Sequence, residues 1–161
     1  MTGCVQGLIG SLKTATAVYT GPTGNLITNP GFEDVTIDTW FLYFGERTTA
    51  QAQTGSYSLV AGADELGYTL YYYSPNVLAV GFPFSLSFWI KGTTEFSLTN
   101  IIAFGSNDSS TAINVTTSWQ QITILNRTAT NSTSMSINLY TLDYSQNFWI
   151  DNIVLQYGPT A

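Results

Sequence analysis

Ten carboxylates, no histidine and a single cysteine set the chemistry open to this 161-residue chain. The acids are Glu33, Asp34, Asp38, Glu46, Asp64, Glu65, Glu95, Asp108, Asp143 and Asp151. Paired carboxylates can hydrolyse glycosides, one acting as general acid and the other as base or nucleophile. Most of these acids fall in turn-forming sequence, where solvation keeps a carboxylate near its ordinary pKa and leaves no poised acid. Without histidine, the Ser/His and Cys/His nucleophile pairs and the usual zinc sites are absent. Cys4 alone cannot form an internal disulfide. The expectation is a protein that is not an enzyme.

Aromatic side chains offer a second chemistry. Sugars present faces of C–H groups that stack on flat rings, while Asn, Gln and Asp nearby select hydroxyl orientation. Tyr71, Tyr72 and Tyr73 form the densest aromatic run. Strand alternation sets Tyr71 and Tyr73 on one face and Leu70 and Tyr72 on the other, so two rings can build a platform with Trp89 or Tyr140. The competing reading is that these rings fill a second sheet face or rest against another subunit, since Tyr and Trp are also enriched at interfaces.

The elements that must position these residues are strands. Phe84, Leu86, Phe88 and Ile90 alternate with Ser85, Ser87, Trp89 and Lys91, which makes the first set core and turns Trp89 outward. Met135, Ile137 and Leu139 alternate in the same way and leave Tyr140 outward. Further strands are expected near residues 39–44, 47–53, 56–61, 66–73, 94–104, 111–116, 120–126 and 147–156. Short strands separated by Gly, Asn, Asp and Pro indicate one all-β domain, an antiparallel β-sandwich.

Charge narrows the partners. Only 9% of residues are charged, the formal net charge is −6, and the four cations Lys13, Arg47, Lys91 and Arg127 are scattered. Phosphate neutralisation needs clustered cations, so nucleic acid is excluded as a partner, and so are anionic membrane surfaces. No apolar run reaches the roughly 18 residues of a membrane span. Residues 1–24 are rich in Gly and Thr, lack acids and end in Gly21-Pro22-Thr23-Gly24. They read as an N-terminal arm serving either for attachment or as an edge strand. Residues 158–161 read as a tail.

The run Asn25-Leu26-Ile27-Thr28-Asn29-Pro30-Gly31-Phe32-Glu33-Asp34, followed by Trp40, resembles the opening of carbohydrate-binding modules of the four/nine type. In order, Thr54 to Leu59, Phe84 to Gly92, Ser118 to Thr123 and Phe148 to Leu155 resemble later motifs of that family, so the resemblance covers residues 25–157. It implies a galactose-binding-like jelly roll. It also implies a structural calcium held by Glu33 and Asp151, with loop carbonyls near Gly31 and Ser56. Where the family often has two adjacent acids, this chain has Asp151-Asn152, which removes one charge. The other reading of the pair is that Glu33 caps backbone amides at a turn and Asp151 meets a neighbouring hydroxyl or amide.

Two functions are compatible with this reading. A carbohydrate-binding module standing alone would hold a poly- or oligosaccharide through exposed aromatics and work outside the cell. The reading preferred from the sequence is a bacteriophage virion protein, a capsid decoration, cement or fibre component with glycan adhesion. It would be made in the host cytoplasm without a leader and carried on the virion surface. Its partners would be other copies of itself in a homo-oligomer, or capsid or tail subunits.

Overall fold

The computed structural model describes residues 24–35, 40–43, 45–61, 67–73, 80–81, 83–104, 107–128, 134–140 and 146–158. The expected arm before residue 24 and the tail beyond residue 158 lie outside them. Ten strands follow one another: β1 (Trp40–Tyr43), β2 (Gly45–Thr48), β3 (Ser58–Ala61), β4 (Gly67–Tyr73), β5 (Pro83–Gly92), β6 (Phe96–Phe104), β7 (Asn107–Val115), β8 (Gln120–Thr128), β9 (Ser134–Tyr140) and β10 (Phe148–Tyr157). They form two five-stranded antiparallel sheets, a first in the order β1-β4-β9-β6-β7 and a second in the order β2-β3-β10-β5-β8. The expected all-β sandwich is what forms.

Alternation explains the packing. Phe84, Leu86, Phe88 and Ile90 of β5 face Leu98, Ile113, Val115, Ile137 and Leu139 of the first sheet, all essentially buried. Each such side chain contributes about 1.5–3 kcal/mol through burial. Residues 24–35 join the core through Ile27 and Phe32, and Phe32 is fully enclosed. This segment is tied to the last strand: Leu26 N–H donates to the Leu155 carbonyl (2.7 Å) and Ile153 N–H to the Pro30 carbonyl (3.0 Å). Asn25 completes the seam, accepting from Leu155 N–H (2.9 Å) and donating to the Ile153 carbonyl (3.0 Å).

Two local departures shape the site. The register of β10 against β5 shifts between Asp151 and Val154, and Asn152 takes a left-handed φ of 48°. The bulge keeps both Ile150 and Ile153 inward although three positions separate them, and it bends the strand where Asp151 lies. The second departure corrects an expectation. No strand runs over 47–53: β2 ends at Thr48, and residues 49–57 form a strap over the outward side of the second sheet. Its residues hydrogen-bond to side chains of other elements, which leave no periodic trace in sequence.

Candidate functional site

Glu33 and Asp151 hold that strap. Glu33 Oε1 accepts from the amides of Ser56 (2.9 Å) and Tyr57 (3.0 Å). Asp151 Oδ2 accepts from Gln53 N–H (2.8 Å) and Thr54 N–H (3.2 Å), while its Oδ1 accepts from Asn152 N–H (2.7 Å). Asn152 Nδ2 donates to Gln53 Oε1 and Thr54 Oγ1, both at 2.6 Å. Both carboxylates therefore cap backbone amides, the second of the two roles open to them from sequence. Asp151 is 0% exposed. Burial raises its pKa above the ordinary carboxylate value, opposed by the three amide bonds and reinforced by the negative charge of Glu33.

Arg47 fixes the entry to the strap. Its Nε donates to the Phe32 carbonyl (2.5 Å) and its Nη2 to the Glu33 carbonyl (2.7 Å), and the guanidinium stacks 3.2 Å above the Tyr57 ring. Lys91 Nζ donates to Gln51 Oε1 (2.9 Å), which ties the strap to β5.

Two side-chain oxygens and the stem of Glu33 lie beside Gly31. A Cβ built there would lie 3.2 Å from Asn152 Oδ1, 3.6 Å from Asp151 Oδ1 and 3.9 Å from Glu33 Cγ. The side-chain oxygens there are those of Asn152 and Asp151, hard donors of the kind calcium takes, while the Glu33 carboxylate lies at Gly55, where a Cβ would stand 2.2 Å from its Oε1. Among the described residues no group of three His, Cys, Asp or Glu side chains gathers for a metal.

The aromatic positions divide between the sheets. Tyr71 and Tyr73 lie on β4, opposite Ser136 and Ser134 of β9, and Tyr140 ends β9 opposite Gly67. Ile137 and Leu139 are buried inward, so the pairing sets positions 71, 73 and 140 on the outward side of the first sheet. Phe41 and Tyr43 of β1 pair with Tyr71 and Thr69 and share that side. Across it run the register positions of Ser136, Asn138, Thr99, Ala103 and Ala112. Trp89 stands elsewhere. It is on β5, between Asp151 of β10 and Gln121 of β8, and it faces outward from the second sheet. The expected platform thus loses Trp89 and keeps Tyr140, because alternation assigns a face to a residue without saying which sheet its strand joins.

The end of the β6–β7 pair carries an open cavity of about 380 Å³ lined by Glu95, Phe96, Ser97, Asn114, Val115 and Thr116, of which Val115 belongs to the core. Ser97 Oγ donates to Asn114 Oδ1 across the β6–β7 pair (3.0 Å). Ser97 is two residues from Thr99, the register partner of Tyr140, so Ser97 and its partner Asn114 lie on the same side. Sequence reading missed Ser97, Asn114, Phe41 and Tyr43, and only strand order brings them to this surface.

The architecture is that of carbohydrate-binding modules, and solved structures of that class share it. No family model and no curated protein matches the sequence. The CBM22-1 xylan-binding domain from Paenibacillus barcinonensis Xyn10C is 18% identical, with 86% of this chain and 97% of that chain covered and a TM-score of 0.66. TmCBM61, solved with β-1,4-galactotriose, is 19% identical over 83% of this chain and 98% of that one, with a TM-score of 0.63. The enzymatically active domain of bacteriophage CBA120 tailspike protein 4 is 17% identical over 83% of this chain, at a TM-score of 0.62, but this chain spans only 21% of it. At these identities the likeness establishes the jelly-roll fold.

Proposed function

We propose that this chain is a non-catalytic carbohydrate-binding domain whose ligand face is the outward side of the first sheet. The observation that carries this reading is the register that gathers positions 71, 73 and 140 on one side of β4 and β9, beside Phe41 and Tyr43. Most of the similar structures are binding modules, although some are attached to catalytic domains. The first sheet's strands hold one charged residue, Asp108. A neutral oligosaccharide therefore suits the face better than an acidic one, and its binding is expected to change little between low and high salt.

The test is affinity for neutral oligosaccharides, including β-1,4-linked galactose and xylose chains, by calorimetry. Tyr71→Ala and Tyr73→Ala are each expected to weaken binding about tenfold, or 1.4 kcal/mol, while Trp89→Phe leaves it unchanged. Equal binding by all three variants would remove the assignment of the face. Absence of binding to any neutral or acidic glycan would remove the function.

Calcium belongs to the same reading as structural support, held by Glu33, Asp151 and the Asn152 Oδ1 beside Gly31. Its charge would offset the repulsion between the two carboxylates and fasten the strap.

A second reading has its own support in the tailspike likeness: the same face serves adhesion on a bacteriophage virion. The chain would then assemble with copies of itself or with capsid or tail subunits, at the virion surface. A defined oligomer in light scattering is expected under this reading, and a monomer is expected for an extracellular module standing alone.

A further inference from the structure

The cavity at the end of the β6–β7 pair has walls that are held from behind. Phe96 is half-buried and supplies the aromatic wall. On its core side the ring packs against Phe148, with centroids 6.0 Å apart. A Cβ on Gly92 would stand 2.7 Å from Phe96 Cε1, so glycine at that position leaves the space the ring occupies. Asn114 is fixed through both its side chain and its backbone. Its Oδ1 accepts from Ser97 Oγ (3.0 Å) and its carbonyl from Gln120 Nε2 (2.6 Å), and Gln120 Oε1 accepts in turn from Thr116 Oγ1 (3.1 Å). Glu95 ends a turn pinned by Thr93, whose N–H donates to the Asn147 carbonyl (3.0 Å).

These walls complement a sugar ring. With Oδ1 engaged by Ser97, the N–H groups of the Asn114 amide have no partner among the described residues, and neither has the exposed Glu95 carboxylate. Sugar hydroxyls accept from such an amide and donate to such a carboxylate, while a C–H face of the sugar stacks on an aromatic ring. No Lys or Arg lines the cavity and its one charge is negative, which disfavours a phosphate or an acidic ligand. A wholly apolar ligand would take water from Glu95 and Asn114 and return no hydrogen bond. The volume of about 380 Å³ is near the low end for small-molecule sites, roughly 300–1,000 Å³. It suits a single sugar unit better than a long chain.

The cavity is also well separated from Tyr71 and Tyr73. Ser136 pairs with Tyr71 on one side and with Ala103 on the other, and Ala103 is six residues along β6 from Ser97. Six residues of strand span about 20 Å, more than one sugar ring can bridge.

We infer that this cavity is a second sugar-binding site, taking one neutral pyranose unit against Phe96 with its hydroxyls on Asn114 Nδ2 and the Glu95 carboxylate. It stands apart from the tyrosine positions and does not depend on them. Two separate sites on one chain would let a branched or multivalent glycan be held at both, which raises avidity without any new contact.

The test is a titration of the full isotope-labelled chain with methyl β-galactoside, methyl β-xyloside and methyl β-glucoside, followed through backbone amide shifts by NMR. Saturable shifts are expected at residues 95–97 and 114–116 with at least one glycoside, half-complete at roughly millimolar concentration. Asn114→Ala is expected to weaken that response about fivefold, and Tyr71→Ala to leave it unchanged. Methyl β-glucuronide should bind about threefold more weakly than methyl β-glucoside, a gap that Glu95→Gln closes. Asn114 and Glu95 are both exposed, and the spectrum itself reports whether each variant keeps its fold. If Asn114→Ala does not fold, the glucuronide comparison in Glu95→Gln decides. No shift at the cavity with any of the three glycosides overturns the inference, as does an equal response from Asn114→Ala and the intact chain. Loss of the cavity shifts in Tyr71→Ala also overturns it, by making the cavity part of the tyrosine face. Shifts at the cavity that persist when Tyr71→Ala fails to alter oligosaccharide binding support this site and remove the other, so the two readings fail separately.

Discussion

Gly55→Ala is expected to lower the thermal unfolding midpoint by about 6–12 °C, a loss of about 3 kcal/mol in a chain of this size. Two costs add. Gly55 sits at a φ of 66°, where an L side chain carries about 1–2 kcal/mol of strain. In addition, an alanine Cβ would stand 2.2 Å from Glu33 Oε1 and 2.6 Å from its Cδ. The carboxylate is the free end of a flexible side chain and can swing aside, so the clash itself is relieved. Swinging aside, however, breaks the bonds to the Ser56 and Tyr57 amides, each worth about 1 kcal/mol net where water can replace the acceptor. Gly81→Ala is the control, because Gly81 has a φ of 84° and nothing within 4 Å of its Cβ position. That variant should lose only the strain. Equal midpoints for the two variants would show that the Glu33 contact contributes nothing to the strap.

Alternation makes most of the strands legible, because a strand buried on one side repeats every second residue wherever its pairing partner lies; β2 (Gly45–Thr48) is the exception. The β10 bulge shows only in the fold, where Ile150 and Ile153 both face inward, which a regular strand does not allow. What stayed hidden depends on long-range pairing. Phe84 to Lys91 shows two clean faces, but nothing local places β5 between β10 and β8 rather than beside β4, so the sequence does not separate Trp89 from the tyrosines of the other sheet. Residues 49–57 look like part of a strand pattern between turn-forming residues, while the groups that hold them as a strap, Asp151 and Glu33, lie far along the chain. Asn25 shows the same limit, since its side chain serves two backbone groups of β10 well over a hundred residues away. Motif order alone points to the two carboxylates, whereas the amides they cap are brought to them by the fold.

Asp151→Ala is expected to be the more damaging change, costing about 4 kcal/mol and more than about 10 °C. The buried carboxylate is the acceptor for Gln53, Thr54 and Asn152 amides, and a buried amide left without an acceptor costs about 1–3 kcal/mol. The strap should then open locally, so limited proteolysis is expected to cut within residues 49–57 of the variant while the intact chain resists. Calcium separates this capping role from the proposed ionic one. With a free concentration a hundred times its Kd, a bound cation would stabilise the intact chain by about 2.7 kcal/mol. Asp151→Asn keeps a neutral oxygen for the Gln53 and Thr54 amides but removes the charge, so it should retain part of the stability and lose the response to calcium. If Asp151→Asn and the intact chain respond alike, or neither responds, Glu33 and Asp151 act as caps alone, and the strap is held by hydrogen bonds without an ion.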